Sequence, residues 1–109
     1  MKTLLLSAPK DKNAATGLHR TFNSILANQI GPEYAIYGNL VGQINAGMKA
    51  VVFERVDRRQ AEGVVAGLTP TGHKTGGGIL RYNVLLRDLN EVSYTNPPQV
   101  NRCGVGFAP

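Results

Sequence analysis

Between Lys49 and Leu89 the chain carries three β-prone runs in close succession, and a sheet is the architecture that accommodates them. Lys49 to Val56 (KAVVFERV) is rich in valine, Glu62 to Leu68 follows, and Leu80 to Leu89 alternates through Tyr82, Val84 and Leu86. Branched and aromatic side chains suit a pleated, half-buried surface, and period-two alternation gives such a strand one apolar and one polar side. The polar group Asp57, Arg58, Arg59 and Gln60 separates the first two runs as a tip. The three runs predict an antiparallel meander.

The second connection, Gly67 to Thr75, reads GLTPTGHKT and lies one residue from the phosphate-loop pattern G-x-x-x-x-G-K-[ST]. That loop works because its lysine follows the last glycine directly and a helix starts there, aiming its positive end at the phosphates. Here His73 stands between Gly72 and Lys74, and Gly76, Gly77 and Gly78 lead into a strand pattern. Successive glycines are poor helix starters. The stretch is therefore read as a long hairpin tip, with Pro70 and the glycines as turn residues, and no nucleotide cofactor is expected.

Upstream, Met1 to Ala8 reads as a buried first strand. Its apolar run breaks at Pro9 and meets Lys10, Asp11 and Lys12, too short for a secretory core, and no segment approaches the roughly 18 apolar residues of a membrane span. Asn13 caps a helix expected to run to Asn28, with Leu18, Phe22, Ile25, Leu26 and Ile30 as its apolar stripe and Gly31 and Pro32 as its stop. Glu33 to Gly47 fits a short strand or an ordered loop. Residues 96–109 contain Pro97 and Pro98, and are expected to wrap the body and place Val105 and Phe107 for a short edge strand. The expected fold is a single α+β domain over 1–109: a small, strongly bent antiparallel or mixed β-sheet or barrel packed with one main N-terminal helix.

Chemistry is sparse along this chain. The histidines are His19, on the predicted helix, and His73, on the glycine-rich tip; neither has a nucleophile and carboxylate spaced around it, so no catalytic residue is assigned. No metal-ligand spacing occurs. Cys103 is the only cysteine, which excludes an internal disulfide framework and suits a reducing cytoplasm; in NRCGVG it reads as a buried or half-buried small hydrophobe. Glu54, Asp57, Glu62, Asp88 and Glu91 stand near arginines and read as surface ion pairs.

Charge is the informative remainder. Lys and Arg number 12 against 7 Asp and Glu, a net of +5, which leans toward anionic partners. Most of that excess falls in the meander. Alternation puts Arg81, Asn83 and Arg87 on one side of the third run and Leu80, Tyr82, Val84 and Leu86 on the other. Arg55, Arg58, Arg59, Lys74, Arg81, Asn83 and Arg87 form the candidate nucleic-acid-binding set, with the Lys74-bearing tip folding over the face and phosphates as the contacted groups.

The order of an initial strand, a helix and then GMKAVVFERV, followed by the small apolar run Ala61, Gly63, Val64, Val65, Ala66 and Gly67, resembles the PUA-like superfamily of small barrels, which includes the ASCH and EVE domains. In that group a glycine and a charged residue lead from the helix into an apolar barrel strand, as Gly47, Met48, Lys49 and Ala50 to Phe53 do here. The resemblance implies RNA or DNA binding and does not imply catalysis. The expectation is a non-enzymatic nucleic-acid-binding module, dimerising through a sheet edge or the apolar tail. The alternatives are a homo-oligomeric interaction protein and a small-molecule pocket protein without catalysis.

Overall fold

The computed structural model describes residues 2–10 and 20–109. The strands are β1 (Thr3–Ser7), β2 (Ile30–Ala35), β3 (Lys49–Glu54), β4 (Arg59–Lys74), β5 (Leu80–Val92) and β6 (Val105–Ala108). Two short helices, α1 (Phe22–Asn28) and α2 (Gly38–Val41), lie between β1 and β3 in the chain. The six strands form one sheet in the order β2-β5-β4-β3-β1-β6. Within it β1 runs parallel to β3, and every other pair is antiparallel. The mixed, sheet-dominated α+β expectation holds in this coarse form. Closure does not: β2 and β6 end the strand order and do not pair, so the sheet is open rather than a barrel.

The single main N-terminal helix is also corrected. Helix α1 has seven residues and starts where the Thr21 hydroxyl accepts the Ser24 N–H at 3.1 Å, satisfying one of the donors a helix start leaves free. Its end is set by Gln29, which takes a left-handed conformation (φ 59°) and returns its N–H to the Ile25 carbonyl. The Gln29 side chain then reaches β5, donating to the Leu89 carbonyl (3.1 Å) and accepting the Leu89 N–H (2.9 Å). This break in helical period turns Ile30 out of the predicted stripe and into β2, where it is exposed. Gly31 and Pro32 are strand residues rather than helix stops. The rest of the predicted helix, Asn13 to His19 with Leu18, lies outside the described residues.

Strand β4 is longer than the sequence suggested at both ends. Arg59 and Gln60, read as part of a tip, pair with β3, and Pro70, read as a turn residue, lies opposite Tyr82. Gly67 to Lys74 is thus extended chain running into a turn at Thr75 to Gly78, where the Gly78 N–H meets the Thr75 carbonyl; no helix follows it. Sixteen extended residues would span roughly 50 Å, yet the longest dimension of the molecule is 35 Å. The β4–β5 ribbon must bend, and register shifts at Glu62/Val64, Val65/Gly67 and Pro70/Lys74 supply that bend.

The main core lies on the sheet side bearing Leu4, Leu6, Val52 and Val84, against Phe22 and Ile25 of α1. Each such side chain contributes about 1.5–3 kcal/mol on burial. On the opposite side Leu5, Val51 and Phe53 are covered by Tyr94, Val100 and Ala108, so the tail does wrap the body. Glu54, expected in a surface ion pair, is instead buried: its carboxylate accepts the backbone N–H groups of Val56 and Asp57 and closes the β3–β4 turn. Both sheet edges are blunted, β2 by Pro32 and a bulge at Glu33, β6 by its four-residue length.

Candidate nucleic-acid interface

Directly opposed residues of paired strands share a face, so the registers locate the basic side chains. Lys49 lies opposite Val64, and Val64 lies opposite Arg87, which places Lys49 and Arg87 on the same side of β3–β4–β5. Thr69 opposite Asn83 extends that side along β5. The buried residues Val84 and Leu86 point the other way and half-buried Tyr82 packs on the main core, so the alternation read from the sequence forms from Tyr82 onward, whereas Leu80, expected in the core with them, is exposed at the start of the strand. It holds as far as Arg87. At Asp88 a left-handed residue (φ 56°) resets the period and returns Leu89 to the core.

The seven candidate residues separate into two groups. Arg55 is internally engaged: it stacks over the Phe53 ring at 4.5 Å and donates to Tyr94, Asn96 and the carbonyls of Pro97 (2.8 Å) and Pro98 (3.1 Å). It fastens the tail to the sheet. Arg59 makes a paired contact with Glu91 (2.9 Å twice), donates to Asn23 and lies over the Phe22 ring, tying α1 to the β4–β5 ribbon. The hydrogen bond from Arg59 holds the Glu91 carboxyl below the usual carboxylate range. Arg81 donates to the Glu33 carbonyl at 2.7 Å and Asn83 accepts the Glu33 N–H at 3.2 Å, so these two satisfy both backbone groups of the β2 bulge.

The other three are exposed. Among the described residues the Arg87 guanidinium bonds only its neighbour Asp88, at 3.1 Å. Arg58 and Lys74 have no carboxylate partner among the described residues, and they stand at opposite ends of β4, so they do not join one patch. Lys49, absent from the candidate set, lies on the same side as Arg87 across Val64, and it stays exposed although it pairs with half-buried Glu62. Arg55→Ala is expected to release the tail, and limited proteolysis should then cut within residues 93–104 faster than in the parent. Equal cutting would show that the tail holds without the guanidinium.

Two features were not visible in the sequence. His73 is not simply a solvated tip residue: its Nδ1 lies 2.9 Å from the Glu33 carboxylate, which also accepts the Thr71 hydroxyl at 3.1 Å. The second is a cleft of about 260 Å³ where Ser7, Arg20, Arg102 and Cys103 converge, with Cys103 half-buried as expected. His19 lies outside the described residues. Among the described residues no group of three or more His, Cys, Asp and Glu side chains is placed to hold a metal ion, and no helix is long and apolar enough to cross a membrane. Comparison with protein-family models, curated protein sequences and solved structures gives no match to this chain.

Proposed function

We propose that the chain is a non-enzymatic module of PUA-like type that binds the phosphate backbone of RNA or DNA on the open side of β3–β4–β5. The observation that carries this reading is the Lys49–Val64–Arg87 register, which sets two exposed cations across three adjacent strands on the side where the tail lies over β1, β3 and the Gln60 end of β4, its Pro97 and Pro98 sharing a cleft with Lys49. Asp88 forms an exposed pair with Arg87, and half-buried Glu62, which also accepts from Gln60, pairs with the exposed Lys49; exposed pairs are worth little and exchange for phosphate. Arg81 and Asn83 serve here as supports that fix the β2 edge. The PUA-like reading is supported by the step Gly47–Met48–Lys49, where Gly47 (φ 92°) turns the chain into β3 and the Gly47 N–H and Met48 carbonyl bond to Val65 of β4.

Fluorescence anisotropy with single-stranded RNA, single-stranded DNA and duplex DNA over a salt series tests the reading. Affinity should fall with salt for all three, by about 0.9 log units per log salt for each phosphate neutralised on duplex and about 0.7 on single strands. Lys49→Ala with Arg87→Ala should remove two such contacts and flatten the duplex slope by about 1.8. Lys2→Ala, away from this side, should leave it unchanged. No binding by the parent at low salt, or an unaltered slope in the double variant, would reduce the basic side to a solvated surface.

A further inference from the structure

We propose that the cleft between the end of β1, Arg20 and the turn from Asn101 to Val105 is an anion site that takes the phosphoryl group of a phosphate monoester. Two guanidinium groups line it, and no carboxylate does among the described residues. Arg20 is already oriented. Its plane lies 4.4 Å over the Tyr34 ring and its Nη1 donates to the Glu33 carbonyl at 3.0 Å, leaving Nε and Nη2 without a partner among the described residues. Arg102 has no partner there at all and is exposed at the cleft rim. Ser7 adds a hydroxyl.

The floor is rigid. The Ser7 N–H donates to the Gly104 carbonyl at 2.8 Å, the Tyr34 hydroxyl donates to the Ser7 carbonyl at 2.7 Å, and the Asn101 side chain accepts the N–H groups of Cys103 and Val105. Gly104 takes a left-handed conformation (φ 84°) that favours glycine and packs against the Ser7 carbonyl and the Tyr34 ring. These contacts, together with the Gly104 N–H on the Asn101 carbonyl at 2.9 Å, occupy the backbone donors of Ser7, Cys103 and Gly104, so side chains are what an incoming anion meets. One guanidinium fork satisfies a carboxylate, whereas two forks around one cleft match the charge and the several oxygens of a phosphoryl dianion. At about 260 Å³ the cleft is smaller than the pockets that enclose whole ligands, roughly 300–1,000 Å³. It holds a terminal group while the remainder projects outward.

The site does not depend on the sheet-face reading, and its test separates the two. Inorganic phosphate titrated into isotope-labelled protein should shift the amide resonances of residues 7–8 and 102–104 in a saturable way. Arg102→Ala should weaken that binding about 10-fold or more, the loss of one charge-assisted contact, with Arg102→Lys falling between because it keeps the charge and loses the fork. Lys2→Ala removes the same unit of charge and should leave phosphate affinity unchanged. With ribose 5-phosphate in place of inorganic phosphate, affinity should also drop as the pH falls below about 6, where the monoester dianion takes up a proton.

The source of the group is read from three further probes. Preference for a 5′-phosphorylated over a 5′-hydroxyl oligonucleotide, competed by inorganic phosphate, assigns the site to a polynucleotide end. Binding of ribose 5-phosphate with no such preference assigns it to a free small phosphate. No saturable shift at these amides, or equal phosphate affinity in the parent and Arg102→Ala, would overturn the proposal.

Discussion

Tyr34→Ala should lower the unfolding free energy by roughly 3–5 kcal/mol, the range for removing a large aromatic side chain from a core. Tyr34 is completely buried, pairs with Tyr82 across β2–β5, and lies under the Arg20 guanidinium. Its hydroxyl donates to the Ser7 carbonyl, so one side chain joins β2 at the sheet edge to β1. Burial pushes the phenol far above its ordinary range, and it remains a neutral donor at any working pH. For a domain of this size each kcal/mol moves the melting temperature by about 4–8 °C, so the expected fall exceeds about 12 °C by thermal circular dichroism. Tyr34→Phe keeps the ring and should lose only about 1 kcal/mol. A Tyr34→Ala protein that melts within a few degrees of the parent would refute this packing of β2 on the sheet.

Gly63→Ala should cost about 1–3 kcal/mol although it adds a single methyl group. A Cβ at Gly63 would stand 2.8 Å from the Arg87 carbonyl oxygen and the Leu89 Cα and 2.9 Å from the Leu89 nitrogen, all backbone atoms of β5. No rotamer relieves contacts with backbone, so β4 and β5 must part at the Glu62/Val64 register shift. That movement displaces Arg87, one of the two cations of the proposed phosphate-binding side. Gly67 lies on the same strand with nothing near its absent Cβ. Gly67→Ala should therefore stay within about 0.5 kcal/mol of the parent. Urea denaturation of the two variants decides the matter; equal midpoints would show that the close approach at Gly63 is not a constraint.

The strands from Lys49 to Leu89 were legible because valine, tyrosine and alternation report a sheet locally. Their ends were not, because distant partners decide them. Arg59 and Gln60 look like turn residues in isolation; they extend β4 because Glu91 accepts from the first and the Gln60 amide oxygen accepts from Thr95. Ile30 fitted the helical stripe and lost that place to Gln29, whose amide bonds β5 sixty residues away. Whether the sheet closes depends on its outermost strands meeting, which no local pattern records. The same limit governs the site. Alternation correctly grouped Arg81, Asn83 and Arg87, yet sequence does not show that the first two are occupied by the Glu33 backbone, nor that Lys49 comes to share a side with the third across Val64.

The position of β1 also sets an order of assembly. Residues 3–7 are synthesised before both of their partners: β1 gains one neighbour only when β3 exists and the other only when residues 105–108 are available. The β4–β5 hairpin is local and can form early, whereas the parallel β1–β3 pair and the β1–β6 pair close long loops before any contact rewards them. On a ribosome, then, β3 waits with one side unpaired or holds β1 alone, and an apolar sheet edge stays open until β6 arrives. Deleting residues 105–109 would make that transient state permanent, turning a folding intermediate's edge into a template for aggregation.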